Sequence, residues 1–229
     1  MRKILKIFNY LSKKIMEKLD KCCDCNDDFT PMGIVKIDTK APHFDLPYYD
    51  PKKDEDFSIS LEDLAWKWTV LFYYPADFTF VCPTELKDMA DQEYRFEEMW
   101  VEVLAISTDT IFSHRAWTKH EILMKNFPYK MLSDHTWFVA DLYNIWDSET
   151  GMAWRWTFII DPDLNVKWIE ITSGPLWRNS EELIRKIEGL QFIRKNPTQA
   201  CPAKWALWGK TLTPSIKIAG EVGEQLEQN

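Results

Sequence analysis

Among the five cysteines of this 229-residue chain, Cys82 stands where a thiol can do chemistry. It follows the apolar run Thr69–Tyr74 and a short loop, and Pro83 behind it suits the first turn of a helix. Backbone N–H groups without intrahelical partners, and the positive end of the helix dipole, favour a thiolate there. The thiolate is the nucleophilic form. Thr79, three residues earlier, can aim its hydroxyl at whatever the sulfur attacks. Position 85, where a C-x-x-C redox pair would carry its second cysteine, holds Glu85. That weighs against a dithiol–disulfide exchanger of the thioredoxin kind. Glu85 reads either as a plain first-turn acid or as a supporting side chain hydrogen-bonded within the site. On this context alone a buried structural thiol remains the commoner alternative for Cys82.

The other cysteines are less telling. Cys201 is isolated near the C-terminus. Cys22, Cys23 and Cys25 are clustered, but three ligands without a nearby His or fourth Cys do not close a zinc site. They read as free, solvent-facing thiols, with weak metal binding or an auxiliary redox role as alternatives. An odd cysteine count without a secretion signal argues for a reducing, cytoplasmic compartment. The four scattered histidines suggest no metal site, and His114 with Trp117 at (i, i+3) reads as packing.

The elements around these residues follow from periodicity. Residues 2–20 place Ile4, Phe8, Leu11, Ile15 and Leu19 on one stripe of a Lys-rich helix, a solvated or partner-docking extension, with a membrane-surface helix as the alternative. A polar linker carries the cluster to Met32. Thr69–Tyr74 and Val101–Ser107 read as strands buried on both faces. A helical stretch from Cys82 to about Met99 lies between them, and a helix near Ile111–Asn126 follows. Thr157–Asp161 and Val166–Ile171 are strands joined by the turn Pro162–Asn165. Ser180–Phe192 is an amphipathic helix with Ser180 as its N-cap. The order implies an α/β fold, a three-layer sandwich with a mixed central sheet plus an N-terminal helical extension. The expected organisation is an extension and linker over 1–32, a main domain over 33–195 and a C-terminal segment over 196–229.

Three separated motifs then resemble the typical two-cysteine peroxiredoxins, and among them most closely the bacterial alkyl hydroperoxide reductase C branch. YYPADFTFVCPTE (Tyr73–Glu85) resembles the segment of the peroxidatic cysteine. RWTFIIDPD, opening on Arg155, resembles the segment with the active-site arginine. TQACPAKW (Thr198–Trp205) resembles the segment of the resolving cysteine. APHFDL, VEVLAISTD and NSEELIRKIEGLQF add to a match covering roughly residues 33–218 in order. The resemblance implies a thioredoxin-like fold and a thiol peroxidase acting on hydrogen peroxide and organic hydroperoxides. Cys82 would be peroxidatic and Cys201 resolving, usually from a partner subunit. Thr79 and Arg155 would hold the peroxide oxygens, while Pro75 shields the pocket. It implies no metal or organic cofactor, a disulfide reductase or thioredoxin-type electron donor, and a homodimer able to form decamers. A holdase chaperone of the same fold is the alternative.

Composition constrains the partners and raises a separate question. The net charge is −8, yet residues 1–21 carry seven basic side chains against Glu17 and Asp20, so the body is more acidic still. An acidic body repels phosphate backbones, which excludes nucleic-acid binding. No apolar run is long enough to span a membrane. Glycine and tryptophan are out of proportion: 7 Gly against 12 Trp, where ordinary usage gives about 16 Gly. Trp66, Trp100, Trp137, Trp156, Trp177 and Trp208 occupy positions where the resembled family usually has Gly, or for Trp156 another small residue. Several are turn or helix-end positions that favour positive φ. Some bacteria read UGA as glycine, while a commonly applied code reads it as tryptophan. The expectation is therefore that these six are glycine in the natural protein. A genuinely Trp-rich variant is the alternative.

Overall fold

The computed structural model describes residues 35–173 and 176–228. The N-terminal stripe, the linker and Cys22, Cys23 and Cys25 lie outside the described residues. The strands are β1 (Asp45–Asp50), β2 (Glu55–Ser60), β3 (Trp68–Tyr73), β4 (Val101–Ser107), β5 (Lys130–Ser133), β6 (Trp146–Asp147), β7 (Met152–Ala153), β8 (Trp156–Ile160) and β9 (Val166–Ile171). The helices are α1 (Cys82–Asp91), α2 (Glu93–Glu98), α3 (Ile111–His120), α4 (Phe138–Leu142), α5 (Ser180–Lys195) and α6 (Val222–Gln228). Seven strands form one sheet in the order β2-β1-β5-β4-β3-β8-β9, and β6 pairs with β7 in a side ladder. β3–β4 and β4–β5 are parallel, the other pairings antiparallel, so the sheet is mixed as expected.

β3 explains the layering. All six of its residues are buried, and alternate side chains go to opposite faces of a strand. Leu71 and Tyr73 join one apolar cluster with Val139 of α4 and with Tyr143 just after it. Val70 and Phe72 join a second cluster with Leu86 of α1, Phe96 of α2, Trp117 of α3 and Ile184 of α5. The sheet thus lies between two apolar layers. Cys82 belongs to the second cluster, under the helices.

Three local readings need correction. The helix expected from Cys82 to about Met99 breaks at Gln92, whose φ of −102° and ψ of 12° leave the helical region. The helix expected to reach Asn126 ends at His120, because Glu121 is extended and a short 3-10 turn follows. The N-cap of α5 is Asn179, not Ser180: its side-chain oxygen accepts from the N–H groups of Glu181 and Glu182.

The tryptophans divide sharply. Trp66, Trp100, Trp137 and Trp208 have φ of 72°, 56°, 54° and 70°, and no other tryptophan has a positive φ. Trp66 is the third residue of a turn closed by Lys67 N–H to the Leu64 carbonyl at 3.2 Å. Ala65 before it has φ −53° and ψ 142°, the type II geometry that wants glycine third. Trp100 sits just past the C-cap of α2. Trp208 is third in a turn closed by Gly209 N–H to the Ala206 carbonyl at 2.8 Å. All three are at least 84 % exposed. Trp156 and Trp177 lie outside the left-handed region; Trp156 stacks on Phe158 with centroids 5.6 Å apart.

Trp137 opens α4, where the buried Asp134 carboxylate accepts from Val139 N–H at 3.2 Å and Ala140 N–H at 2.6 Å. Burial outweighs these bonds and pushes Asp134 up to about 6. Between about pH 4 and 6 the folded chain therefore keeps a proton that the unfolded chain has lost, so stability falls as pH rises through that window. Asp134→Asn, which cannot titrate, is expected to flatten this part of the profile; urea unfolding at pH 4, 5 and 6 checks it.

Candidate active site

Cys82 is the first residue of α1 and is fully buried. Arg155, in the link from β7 to β8, puts Nη1 3.5 Å from the sulfur and 2.6 Å from Oε2 of Glu85. Glu85 lies one turn along α1, so the helix repeat places thiol and carboxylate under one guanidinium. The structure thus unites three residues singled out from sequence, and Glu85 is more than a first-turn acid.

Arg178 completes the cluster, and sequence reading missed it. It precedes the N-cap of α5, is 9 % exposed, and grips Glu85 from the other side. Its Nε donates to Oε1 at 2.9 Å and its Nη2 to Oε2 at 3.1 Å, and its own backbone N–H donates to Oε1. Nη1 donates to the carbonyls of Tyr73 and Trp156, both at 2.9 Å. The guanidinium lies 3.5 Å from the Phe72 ring centroid. One side chain therefore ties β3, β8 and α1 together. The available signal was electrostatic: a cation just before a helix N-terminus is unfavourable unless an anion meets it.

Burial alone would push the Glu85 carboxyl up. The hydrogen bonds and charge of Arg178, with Arg155 behind it, instead hold it below the usual glutamate range. The Arg155 guanidinium lying on a dry sulfur suits a transition state in which negative charge develops.

The loop before Cys82 is held from below. Asp77 accepts from Tyr74 Oη at 2.8 Å and pairs with His114 Nδ1 at 2.9 Å, both buried. His114 Nε2 faces the Leu132 carbonyl at 3.2 Å, and Asp77 N–H donates to Asp109 at 2.8 Å. Trp117 packs as expected, but His114 is a polar anchor tying α3 to the loop. Pro75 and Thr79 are both half-buried in that loop. The Thr79 hydroxyl donates to the Ala76 carbonyl at 2.9 Å. Its proton is committed to the loop, so it meets a ligand as an acceptor.

Cys201 follows α5 in a separate segment and is half-buried. Cys82 and Cys201 are both free thiols, and the structure does not bring them together. Among the described residues no group of His, Cys, Asp or Glu is placed to hold a metal ion, and no helix is long and apolar enough to cross a membrane.

A buried thiol at a helix start, under an arginine, on a mixed sheet between two helical layers defines a thioredoxin-like thiol enzyme. Comparison with known proteins narrows this. Residues 37–169 match the AhpC/TSA family, and the chain belongs to that family: it is a peroxiredoxin, a thiol-dependent peroxidase. It is 40 % identical over 179 residues to alkyl hydroperoxide reductase C of Staphylococcus epidermidis, covering 78 % of this chain and 95 % of that protein. The Staphylococcus aureus protein is 41 % identical over the same coverage. Among solved structures, Enterococcus faecalis AhpC superposes with TM-score 0.70 at 36 % identity, covering 74 % of this chain and all of that one. A reduced Plasmodium vivax 2-Cys peroxiredoxin gives 0.77 at 26 %, covering 82 % and 98 %.

Proposed function

We propose that Cys82 is the peroxidatic cysteine and Cys201 the resolving one, and that the substrates are hydrogen peroxide and small organic hydroperoxides. The observation that carries this is the Arg155 guanidinium lying on both the Cys82 sulfur and the Glu85 carboxylate. The Cys82 thiolate attacks the terminal peroxide oxygen, forming an S–O bond as the O–O bond breaks. The departing oxygen takes a proton and leaves as water or an alcohol, and Cys82 becomes the sulfenic acid. Arg155 stabilises the charge that spreads over both oxygens. Thr79 accepts from the hydroperoxide O–H, and Pro75 keeps water from the mouth of the site.

The Cys201 thiol then attacks the Cys82 sulfenic acid, forming a disulfide and releasing water. Both thiols are free within one chain, in keeping with a partner subunit supplying Cys201. A dithiol reductase, thioredoxin-type or a dedicated disulfide reductase, reopens the bond, and no step calls for a metal or organic cofactor. A cytoplasmic setting suits free thiols that cycle through reduction. One equivalent of hydrogen peroxide added to the reduced protein is expected to give a dimer on non-reducing electrophoresis. That dimer should be abolished by either Cys82→Ser or Cys201→Ser, with the Cys82–Cys201 peptide found by mass spectrometry. A wild-type protein that stays monomeric while consuming peroxide would refute the intersubunit disulfide.

A further inference from the structure

The segment carrying Cys201 is a closed loop seated on α5. Ala200 and Leu212 exchange both backbone hydrogen bonds, at 2.8 and 2.9 Å, so residues 200–212 leave and return at one point. Inside the loop Trp205 is 4 % exposed. Its ring packs on Phe192 of α5 with centroids 5.1 Å apart, over Gly189, where a side-chain carbon would lie 3.8 Å from the ring. Its indole N–H donates to the Gly209 carbonyl at 3.1 Å.

Arg185 of α5 ties the helix to this loop's backbone: Nη1 donates to the Trp205 carbonyl at 2.9 Å. Glu182, one turn earlier, holds the guanidinium by two bonds, Nε at 2.7 Å and Nη2 at 2.8 Å. The fork is therefore fixed by its own helix before it meets the loop. Burial holds the Cys201 thiol above its ordinary value, and the Arg185 charge offsets only part of that rise. The same interaction raises Arg185. The guanidinium thus acts on the loop that carries the sulfur, from a point on α5 seven residues beyond Arg178.

We propose that Arg185 is a positioning residue for the resolving half-reaction: its charged fork pins the 200–212 loop through the Trp205 carbonyl, so that the Cys201 sulfur which that loop carries is presented to the sulfenic acid. This rests on Cys201 being the resolving cysteine. The step is Cys201 thiolate plus Cys82 sulfenic acid plus a proton giving the disulfide and water. Its competitor is a second hydroperoxide oxidising the sulfenic acid to the sulfinic acid, with release of water or an alcohol. Slower resolution therefore appears as more sulfinate per turnover.

The test compares wild type, Arg185→Gln and Arg185→Lys in single-turnover mixing with hydrogen peroxide, with sulfinate at Cys82 quantified by intact mass after repeated turnover. Arg185→Gln is expected to leave the first oxidation step at its wild-type rate, slow disulfide formation about tenfold, and raise the sulfinate share about tenfold, the scale of one charge-assisted hydrogen bond. Arg185→Lys, which keeps the charge, is expected to recover most of the loss. An unchanged ratio of sulfinate to disulfide in Arg185→Gln overturns the proposal, and so does Arg185→Lys failing as badly as Arg185→Gln. If wild type itself forms no Cys82–Cys201 disulfide, the assignment of Cys201 falls first, an outcome read before any Arg185 variant is made.

Discussion

Cys82→Ser is expected to consume hydroperoxide at least about 10³-fold more slowly than wild type, since removing the nucleophile leaves only the arginine-lined pocket. The serine oxygen keeps the Arg155 contact and the position at the head of α1, so the fold should survive. Circular dichroism and oligomer size should be unchanged. Arg155→Gln provides the second arm. It keeps the thiol and a neutral donor but removes the positive charge beside the sulfur and one of the guanidiniums on Glu85. The expected loss is about 10²–10³-fold, the range for deleting one preorganised donor to a developing anion. A competitive peroxidase assay reads both rates. Full activity in Cys82→Ser would mean another thiol reacts. Aggregation suppression kept by Cys82→Ser with no peroxidase in wild type would favour the chaperone reading.

How much of this was legible in the sequence depended on whether a residue's environment was local. β3 and β4 could be read because burial on both faces makes continuous apolar runs, and Cys82 because Pro83 marks the helix start behind it. β2 was not read: only Phe57 and Ile59 alternate with polar residues, four of its six residues, Glu55–Ser58, are exposed, and so short a signal leaves the strand owing its state to pairing with β1. The break at Gln92 has no Gly or Pro to announce it. Arg178 and Asp77 act through partners 93 and 37 residues away, and no local spacing encodes such a pairing. The resemblance supplied Arg155; only the folded chain supplied the second guanidinium that balances Glu85.

The largest expected change in stability comes from residues remote from the chemistry. Replacing Trp66, Trp100 and Trp208 together by glycine is expected to stabilise the protein. A left-handed backbone costs a non-glycine residue roughly 1–2 kcal/mol, and glycine's extra freedom in the unfolded chain returns about 0.4–1 kcal/mol of that. The net gain is about 1 kcal/mol a site. Little burial is lost, because these rings are 84 %, 85 % and 93 % exposed. Three sites give about 3 kcal/mol and a Tm higher by roughly 6–12 °C for a domain of this size. Trp137→Gly gains less, since Trp137 stacks on Trp146 at 5.3 Å and the stack is worth about 0.5–1.5 kcal/mol. Trp68→Gly, at a buried position with ordinary φ, should instead destabilise. Calorimetry on the triple variant and the two single variants separates backbone strain from a general intolerance of tryptophan. The pattern also bears on the gene. Positive φ falls on four of the six tryptophans picked out from sequence and on none of the other six, which is how glycine positions would be distributed. Six replacements would leave 13 Gly and 6 Trp, near the ordinary count of about 16 glycines. The expected result is UGA at these six codons and an intact mass, from the natural source, matching glycine at each. UGG codons there would show instead that the chain carries the strain.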